Sequence, residues 1–217
     1  LFLFIQSDIK TIILPGAAFL LASLFNIHCD FKFLLHWNTL RAAGSTTAWT
    51  SIHLLIFAIN NQTQAHSIIE DTINKPWRPI PSQRISITSA KNVRRVFLLT
   101  AIIYAQFSGI LLLTLLFLIL DTLYNTTKLH ENALSRNILC SGAYSLIGCA
   151  VHIITNRTYQ AHVSRVWLRL CDLESLSKDT IWSLLMIGLV VLTTIHISDL
   201  PDVDGDLLLG RQTMPIM

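Results

Sequence analysis

Long apolar stretches with few charges inside them constrain this chain more than any other feature of its sequence. A helix needs roughly 20 predominantly apolar residues to cross the hydrocarbon core of a bilayer. Only 13% of the 217 residues are charged, against about a quarter in a typical soluble domain. The sequence therefore predicts an all-α integral-membrane protein in contact with the lipid bilayer, with about six spans over residues 11–26, 42–59, 94–110, 111–127, 136–155 and 180–198.

The distribution of Lys and Arg residues predicts how these spans are oriented. Basic loops are retained on the cytosolic side of a membrane, and the densest basic cluster lies between the second and third spans, within residues 75–95. On that topology, the loops that follow the second and the sixth span open on the same, cytosolic face. The net charge of +3 is too small to indicate a nucleic-acid partner.

An acidic segment directly follows the sixth span. It contains Asp199, Asp202 and Asp206, whose i, i+3, i+7 spacing places them on one face of an α-helix. Crowded carboxylates repel one another, so a cation is expected among them. Oxygen ligands of this kind suit Mg²⁺, which leaves room for substrate phosphates. A solvated acidic loop at a helix end is the alternative, and Pro201 is expected to break the helix there.

A second polar segment follows the second span, over residues 60–79. It begins with amides and acids and continues into a basic run stiffened by prolines. Lys75 and Arg78 are placed to neutralise phosphate charge that a magnesium ion leaves uncompensated, Arg78 through bidentate contacts. Anchoring to lipid headgroups is the alternative role for these two cations.

Several short motifs stand out when the chain is taken as a whole. They are Asn-Lys-Pro-Trp-Arg-Pro-Ile-Pro-Ser over 74–82, Asp-Leu-Pro-Asp-Val-Asp-Gly-Asp over 199–206, Gly-Arg-Gln-Thr over 210–213 and Tyr-Asn over 124–125. With these motifs the chain resembles the UbiA prenyltransferase superfamily over essentially its whole length. The first motif departs from the usual family pattern: Asn61-Gln62 and Glu70-Asp71 bracket it, as in a fungal-type branch that includes terpene cyclases.

The resemblance implies a bundle of about nine transmembrane helices in which both acidic motifs bind Mg²⁺ and an isoprenyl diphosphate. With about six of those helices present, the single domain over residues 1–217 is expected to be truncated at its C-terminus. The fungal-type motif favours an endoplasmic-reticulum membrane with the site facing the cytosol. The expected metal ligands are Asn61, Glu70, Asp71 and the catalytic Asp199, Asp202 and Asp206, and the expected diphosphate-binding residues are Lys75, Arg78, Tyr124 and Arg211.

The sequence predicts prenyl transfer to an aromatic acceptor, and three alternatives to this function are considered. Loss of diphosphate leaves an allylic carbocation, which an aromatic acceptor captures in a prenyltransferase and which cyclises in a farnesyl diphosphate cyclase. An inactive, truncated family member is the third possibility. A channel or transporter requires acids through the depth of the membrane, whereas Asp121 is the only acid within a predicted span. The sequence does not specify the acceptor, the prenyl chain length or the oligomeric state.

Overall fold

The computed structural model describes residues 1–28, 31, 36–159, 171, 173, 176–208, 210 and 214–216. All of its long elements are helices, as the sequence predicts. The α-helices are α1 (Phe2–Ile5), α2 (Ile9–His28), α3 (Trp37–Gln62), α4 (Ala65–Asn74), α5 (Ile87–Ser108), α6 (Leu111–Thr126), α7 (Ala133–Tyr159), α8 (Lys178–Thr194) and α9 (Val203–Leu208). Two 3₁₀ helices, Lys128–Glu131 and Ile195–Asp202, precede α7 and α9.

Each of the first five predicted spans falls largely on one long helix. The sixth, over residues 180–198, covers most of α8 and the start of the 3₁₀ helix Ile195–Asp202. Within the described ranges, four helical segments are long and apolar enough to cross a membrane: Ile9–Ile27, Trp37–Gln62, Ala133–Tyr159 and Lys178–Leu208. Helix α6 is apolar but shorter, and the first half of α5 carries Lys91, Arg94 and Arg95. The chain is therefore a multi-pass membrane protein.

Helix α3 lies at the centre of the bundle and contacts α2, α5, α6 and α7. In its most apolar stretch 56% of the residues are buried, against 6% in the corresponding stretch of α8. Trp49 of α3 is fully buried and donates from Nε1 to Thr114 Oγ1 of α6 at 3.0 Å. The segment that directly follows α3 is thus attached to the most constrained part of the fold.

Close packing through small residues joins α7 to its neighbours. A Cβ added at Gly148 would lie 2.7 Å from a methyl carbon of Leu184 and 3.1 Å from the ring of Phe19. Ser141 Oγ donates to the carbonyl oxygen of Gly188 at 2.7 Å. Small residues and hydroxyl groups of this kind let helices approach closely where lipid removes the hydrophobic driving force between them.

The tight turn between α5 and α6 lies at Ser108 and Gly109. Gly109 caps α5 in the left-handed region, with φ at 68°, which glycine adopts at no steric cost. Helix α5 also exposes Val96, Leu99 and Ile103, which recur at helical spacing on one face. That face is the part of α5 that is open to lipid.

Candidate active site

The polar segment over residues 60–79 is the first acidic segment in chain order, and the one over residues 199–206 is the second. Helix α4 carries the acids of the first acidic segment and ends where the proline-rich run begins. Lys75 precedes Pro76 and leaves the helical region, with φ −142° and ψ 58°, because a residue before proline disfavours the α conformation. The run then folds into turns in which Arg78 N donates to Lys75 O at 3.0 Å and Ser82 N to Arg78 O at 3.1 Å. These turns return the Arg78 side chain to α4.

Arg78 forms a buried ion pair with Asp71 within this segment. Its Nη1 lies 2.8 Å and 3.0 Å from the two carboxylate oxygens of Asp71, and the two residues are 6% and 1% exposed. Arg78 Nη2 also donates to Ser7 Oγ at 3.0 Å and lies 3.5 Å from Asp8. Burial raises the pKa of the Asp71 carboxyl above its ordinary value, and the Arg78 guanidinium opposes that rise.

The second acidic segment is not the continuous α-helix that the aspartate spacing predicted. Helix α8 ends at Thr194, and the chain continues as the 3₁₀ helix Ile195–Asp202 before α9 begins at Val203. Pro201 has no backbone N–H and cannot sustain the α-helical hydrogen-bond pattern, as expected. The prediction of three carboxylates along one α-helical face is therefore wrong.

Direct contacts join the two acidic segments at one end of the bundle. Asn74 Nδ2 donates to Asp202 O, and Gly205 N donates to Asn74 Oδ1, both at 3.2 Å. Lys75 Nζ lies 2.5 Å from Asp202 Oδ1. A Cβ at Gly205 would overlap the Asn74 amide and lie 2.7 Å from Glu70 Cγ, so only glycine fits at this crossing of α4 and α9.

Arg136, near the start of α7, connects the second segment to α6. Its Nη1 donates to Asp199 Oδ2, and its Nε donates to the Tyr124 hydroxyl at 3.1 Å. Asp199 is 2% exposed, so its carboxylate requires a cation close by. Tyr124 and Asp199, both predicted as site residues, are thereby brought to the same guanidinium.

A buried network of hydrogen bonds connects Asn61 to Asp121 of α6. Asp121 Oδ2 accepts from Asn60 Nδ2 and from Arg94 Nη2, each at 3.0 Å. Asp121 Oδ1 accepts from Asn125 Nδ2 at 2.7 Å, and Asn125 Oδ1 accepts from Asn61 Nδ2 at 3.0 Å. An acid inside a membrane bundle is costly unless it is paired, and here Arg94 supplies the charge while the amides complete the hydrogen bonding.

Metal ligands were predicted in both segments. In the structure, two of them lie on helices that cross, and three others are paired with side-chain cations. Glu70 and Asp206 are 9% and 3% exposed, and they belong to the two helices that cross at Gly205. Within the described part of the chain, no three Asp, Glu, His or Cys side chains converge as a ready metal cluster. Asp71, Asp199 and Asp202 instead contact side-chain cations. The donors fit Mg²⁺ in their chemistry, since they are carboxylates whose charge already requires a cation.

Two residues that contact the predicted site residues, Asn74 and Arg136, were not themselves predicted as site residues. In the sequence, Asn74 is part of a motif, and Arg136 belongs to none of the motifs. Both contact predicted residues in the structure. Their partners Asp202 and Asp199 lie 128 and 63 positions away along the chain, and a single sequence does not show such distant contacts. Predicted Arg211 lies outside the described residues.

Comparison with known proteins gives one family. The model of the UbiA prenyltransferase family matches residues 13–217. The chain is 30% identical to the fumagillin β-trans-bergamotene synthase of Aspergillus fumigatus, over all of this chain and 65% of that protein. It is 27% identical to a polyprenyl transferase of Hericium erinaceus, over all of this chain and 67% of that protein. It is 26% identical to the somaliensene A/B synthase of Streptomyces somaliensis, over 99% of this chain and 64% of that protein. The chain thus spans about two thirds of the length of these relatives, and no solved structure matches it.

Proposed function

Because this chain belongs to the UbiA prenyltransferase family, we propose that it ionises an isoprenyl diphosphate in a magnesium-dependent reaction within the membrane. The observation that carries the proposal is the contact of the two acidic segments, in which Asn74 and Lys75 bind the backbone and side chain of Asp202. This contact gathers carboxylates and cations of both segments at one end of an apolar helix bundle. The diphosphate would bind there, and the prenyl chain would extend between the helices.

The residues present divide into two roles in this proposal. Carboxylates of both segments would hold magnesium, namely Glu70, Asp71, Asp199, Asp202 and Asp206, together with the amide oxygen of Asn61. When bound, magnesium would act as a Lewis acid and neutralise charge on the departing diphosphate. Lys75 and Arg211 would contact the diphosphate oxygens, with Tyr124 as a neutral hydrogen-bond donor.

The contacts of Arg78 indicate how it would act on the diphosphate. Its guanidinium is held by Asp71, Ser7 and Asp8 and is 6% exposed. In this arrangement it fixes the first segment to the start of the chain. We therefore propose that Arg78 acts on the diphosphate mainly by positioning Asp71, with direct contact as the alternative.

Cyclisation of the resulting cation to a terpene is the outcome that we propose first. The supporting observation is similarity to a bergamotene synthase and to a somaliensene synthase. An apolar bundle excludes water, which would otherwise capture the cation. In such a reaction the diphosphate leaves with the bonding electrons of its C–O bond, and the cation loses a proton after ring closure.

Prenyl transfer to an aromatic acceptor is the second candidate, and similarity to a polyprenyl transferase favours it. Both reactions use the same ionising site, so they differ in the fate of the cation alone. In either case, we propose that the site faces the cytosol, as the basic loop between α4 and α5 favours. The fungal-type first motif favours the endoplasmic-reticulum membrane.

Product analysis distinguishes these functions. Purified protein would be incubated with Mg²⁺ and farnesyl or geranylgeranyl diphosphate, with and without an aromatic acid acceptor, and the products separated by gas and liquid chromatography. A cyclic hydrocarbon without acceptor supports cyclisation, and a prenylated acceptor supports transfer. Unchanged substrate under both conditions contradicts an active enzyme and favours the inactive family member.

A further inference from the structure

Arg136 lies outside both acidic segments, yet it contacts one of their carboxylates. It is the fourth residue of α7, and its neighbour Asn137 fixes the helix by donating from Nδ2 to Leu192 O at 3.1 Å. The Arg136 side chain is 16% exposed, whereas that of Asp199 is 3% exposed. The guanidinium therefore lies at the boundary between a buried carboxylate and the open end of the bundle.

The hydrogen bonds of Arg136 leave donors unused. A guanidinium carries five N–H groups, and its contacts with Tyr124 and Asp199 engage Nε and Nη1. No nitrogen of Arg136 is a buried atom without a partner, in contrast to Nε of Arg78 and of Arg94. The remaining N–H groups, on Nη2, are thus accessible to a further acceptor.

We propose that Arg136 is a further diphosphate-binding residue, whose guanidinium compensates Asp199 before substrate binds and contacts diphosphate oxygens once Asp199 binds magnesium. This inference rests on the proposed function of the same site. Lys75 and Asp202 form the equivalent pair on the α4 side, at 2.5 Å. The two cations therefore approach the second segment from opposite elements, α4 and α7.

Electrostatics predicts how loss of the Arg136 charge changes the affinities for magnesium and for diphosphate. A guanidinium and a divalent cation compete for the same carboxylate, so Arg136 weakens binding of magnesium alone to Asp199. A diphosphate attracts the guanidinium instead, and charge-assisted bonds to its oxygens strengthen binding. Removing the cation must therefore change the two affinities in opposite directions, whereas a residue that only stabilises the fold would lower both.

The test measures two affinities by titration calorimetry on the detergent-purified full chain. The probes are Mg²⁺ alone and inorganic pyrophosphate in saturating Mg²⁺, and the variants are Arg136→Gln and Arg136→Lys. For Arg136→Gln we expect pyrophosphate affinity to fall by about tenfold or more, as loss of a charge-assisted hydrogen bond implies. Affinity for Mg²⁺ alone is expected to rise severalfold, and Arg136→Lys is expected to recover part of the pyrophosphate binding.

Arg157→Gln serves as the matched control, because Arg157 lies on the same helix at its other end, against Gly109. It should leave both affinities unchanged. Equal losses of both affinities in Arg136→Gln, or no change in either, would overturn the inference while wild-type binding leaves the proposed function intact. Failure of the wild-type chain to bind pyrophosphate would overturn the proposed function, and this inference with it.

Discussion

The two acidic segments of this protein compensate their carboxylates in different ways. In the first segment, Asp71 is paired with Arg78 only seven positions away, and both side chains are almost fully buried. In the second segment, Asp199 and Asp202 are paired with Arg136 and Lys75, which come from distant parts of the chain. The first pair fixes a local structure, whereas the second set holds separate helices together at the site.

This difference predicts opposite balances between stability and activity in the two segments. A fully buried pair contributes to folding because its loss leaves an uncompensated charge. A partly exposed pair contributes little to folding, because water already screens its charges. Variants of the buried Asp71–Arg78 pair should therefore lose mainly stability, and variants of the partly exposed Lys75–Asp202 pair should lose mainly activity.

Arg78→Met should have the largest effect on stability. It leaves the Asp71 carboxylate buried and unpaired, which costs about 3–5 kcal/mol in the free energy of unfolding. Thermal unfolding in detergent would measure the loss, with exposed Arg84→Met from the same connection as the control. The comparison between the segments would be wrong if Arg78→Met unfolded at the wild-type temperature.

Gly205→Ala should have the next largest effect. Its Cβ would overlap the Asn74 side chain and approach Glu70, so α4 and α9 must separate at a cost of about 1–3 kcal/mol. The same variant should also lower diphosphate release, since it moves the two segments apart. Gly44→Ala is the matched control, because a Cβ there meets no atom within 4 Å; equal effects of the two substitutions would contradict the packing described here.

Asn74→Ala tests the hydrogen bonds that join the segments. The variant loses two bonds to the backbone of the second segment, with an expected cost of about 1–2 kcal/mol. Chemical unfolding would measure it against Asn92→Ala, whose side chain lies on the exposed part of α5. Identical unfolding curves for the two variants would show that the Asn74 contacts add nothing.

Lys75→Met should have the smallest effect on stability and a large effect on activity. The side chains of Lys75 and Asp202 are 17% and 22% exposed, so loss of the ion pair should cost about 1 kcal/mol or less. Diphosphate release should nevertheless fall by about a hundredfold if the ammonium contacts the departing group. A parallel, modest loss of both properties would assign Lys75 a structural role only.

Helix positions were readable from the sequence because the apolar stretches are long, and four of them reach the length that a bilayer requires. Gly109 was readable as a turn for a local reason, its tolerance of positive φ. The break at Pro201 was foreseen, but the helix after α8 was still treated as one α-helix when carboxylate positions were inferred. The positions of these carboxylates therefore depend on the local backbone conformation around Pro201, which their spacing in the sequence does not specify.

The partners of charged residues were the part that the sequence could not supply. Asp121 was recognised as an isolated acid within a span, and a buried acid of this kind implies a partner. Arg94, 27 positions away, was one of many candidate cations. Arg136 was equally visible as a lone cation at the start of an apolar helix. Only the packing of α6, α7 and the 3₁₀ helix assigns it to Asp199.

The most direct test of the central claim, that the two acidic segments form one ionising site, is diphosphate release from farnesyl diphosphate with and without Mg²⁺. Wild-type protein should release diphosphate only with Mg²⁺. Asp202→Asn in the second segment and Glu70→Gln in the first should each abolish that release while the variants remain folded. Release that persists in either folded variant would contradict the claim, because one segment would then suffice.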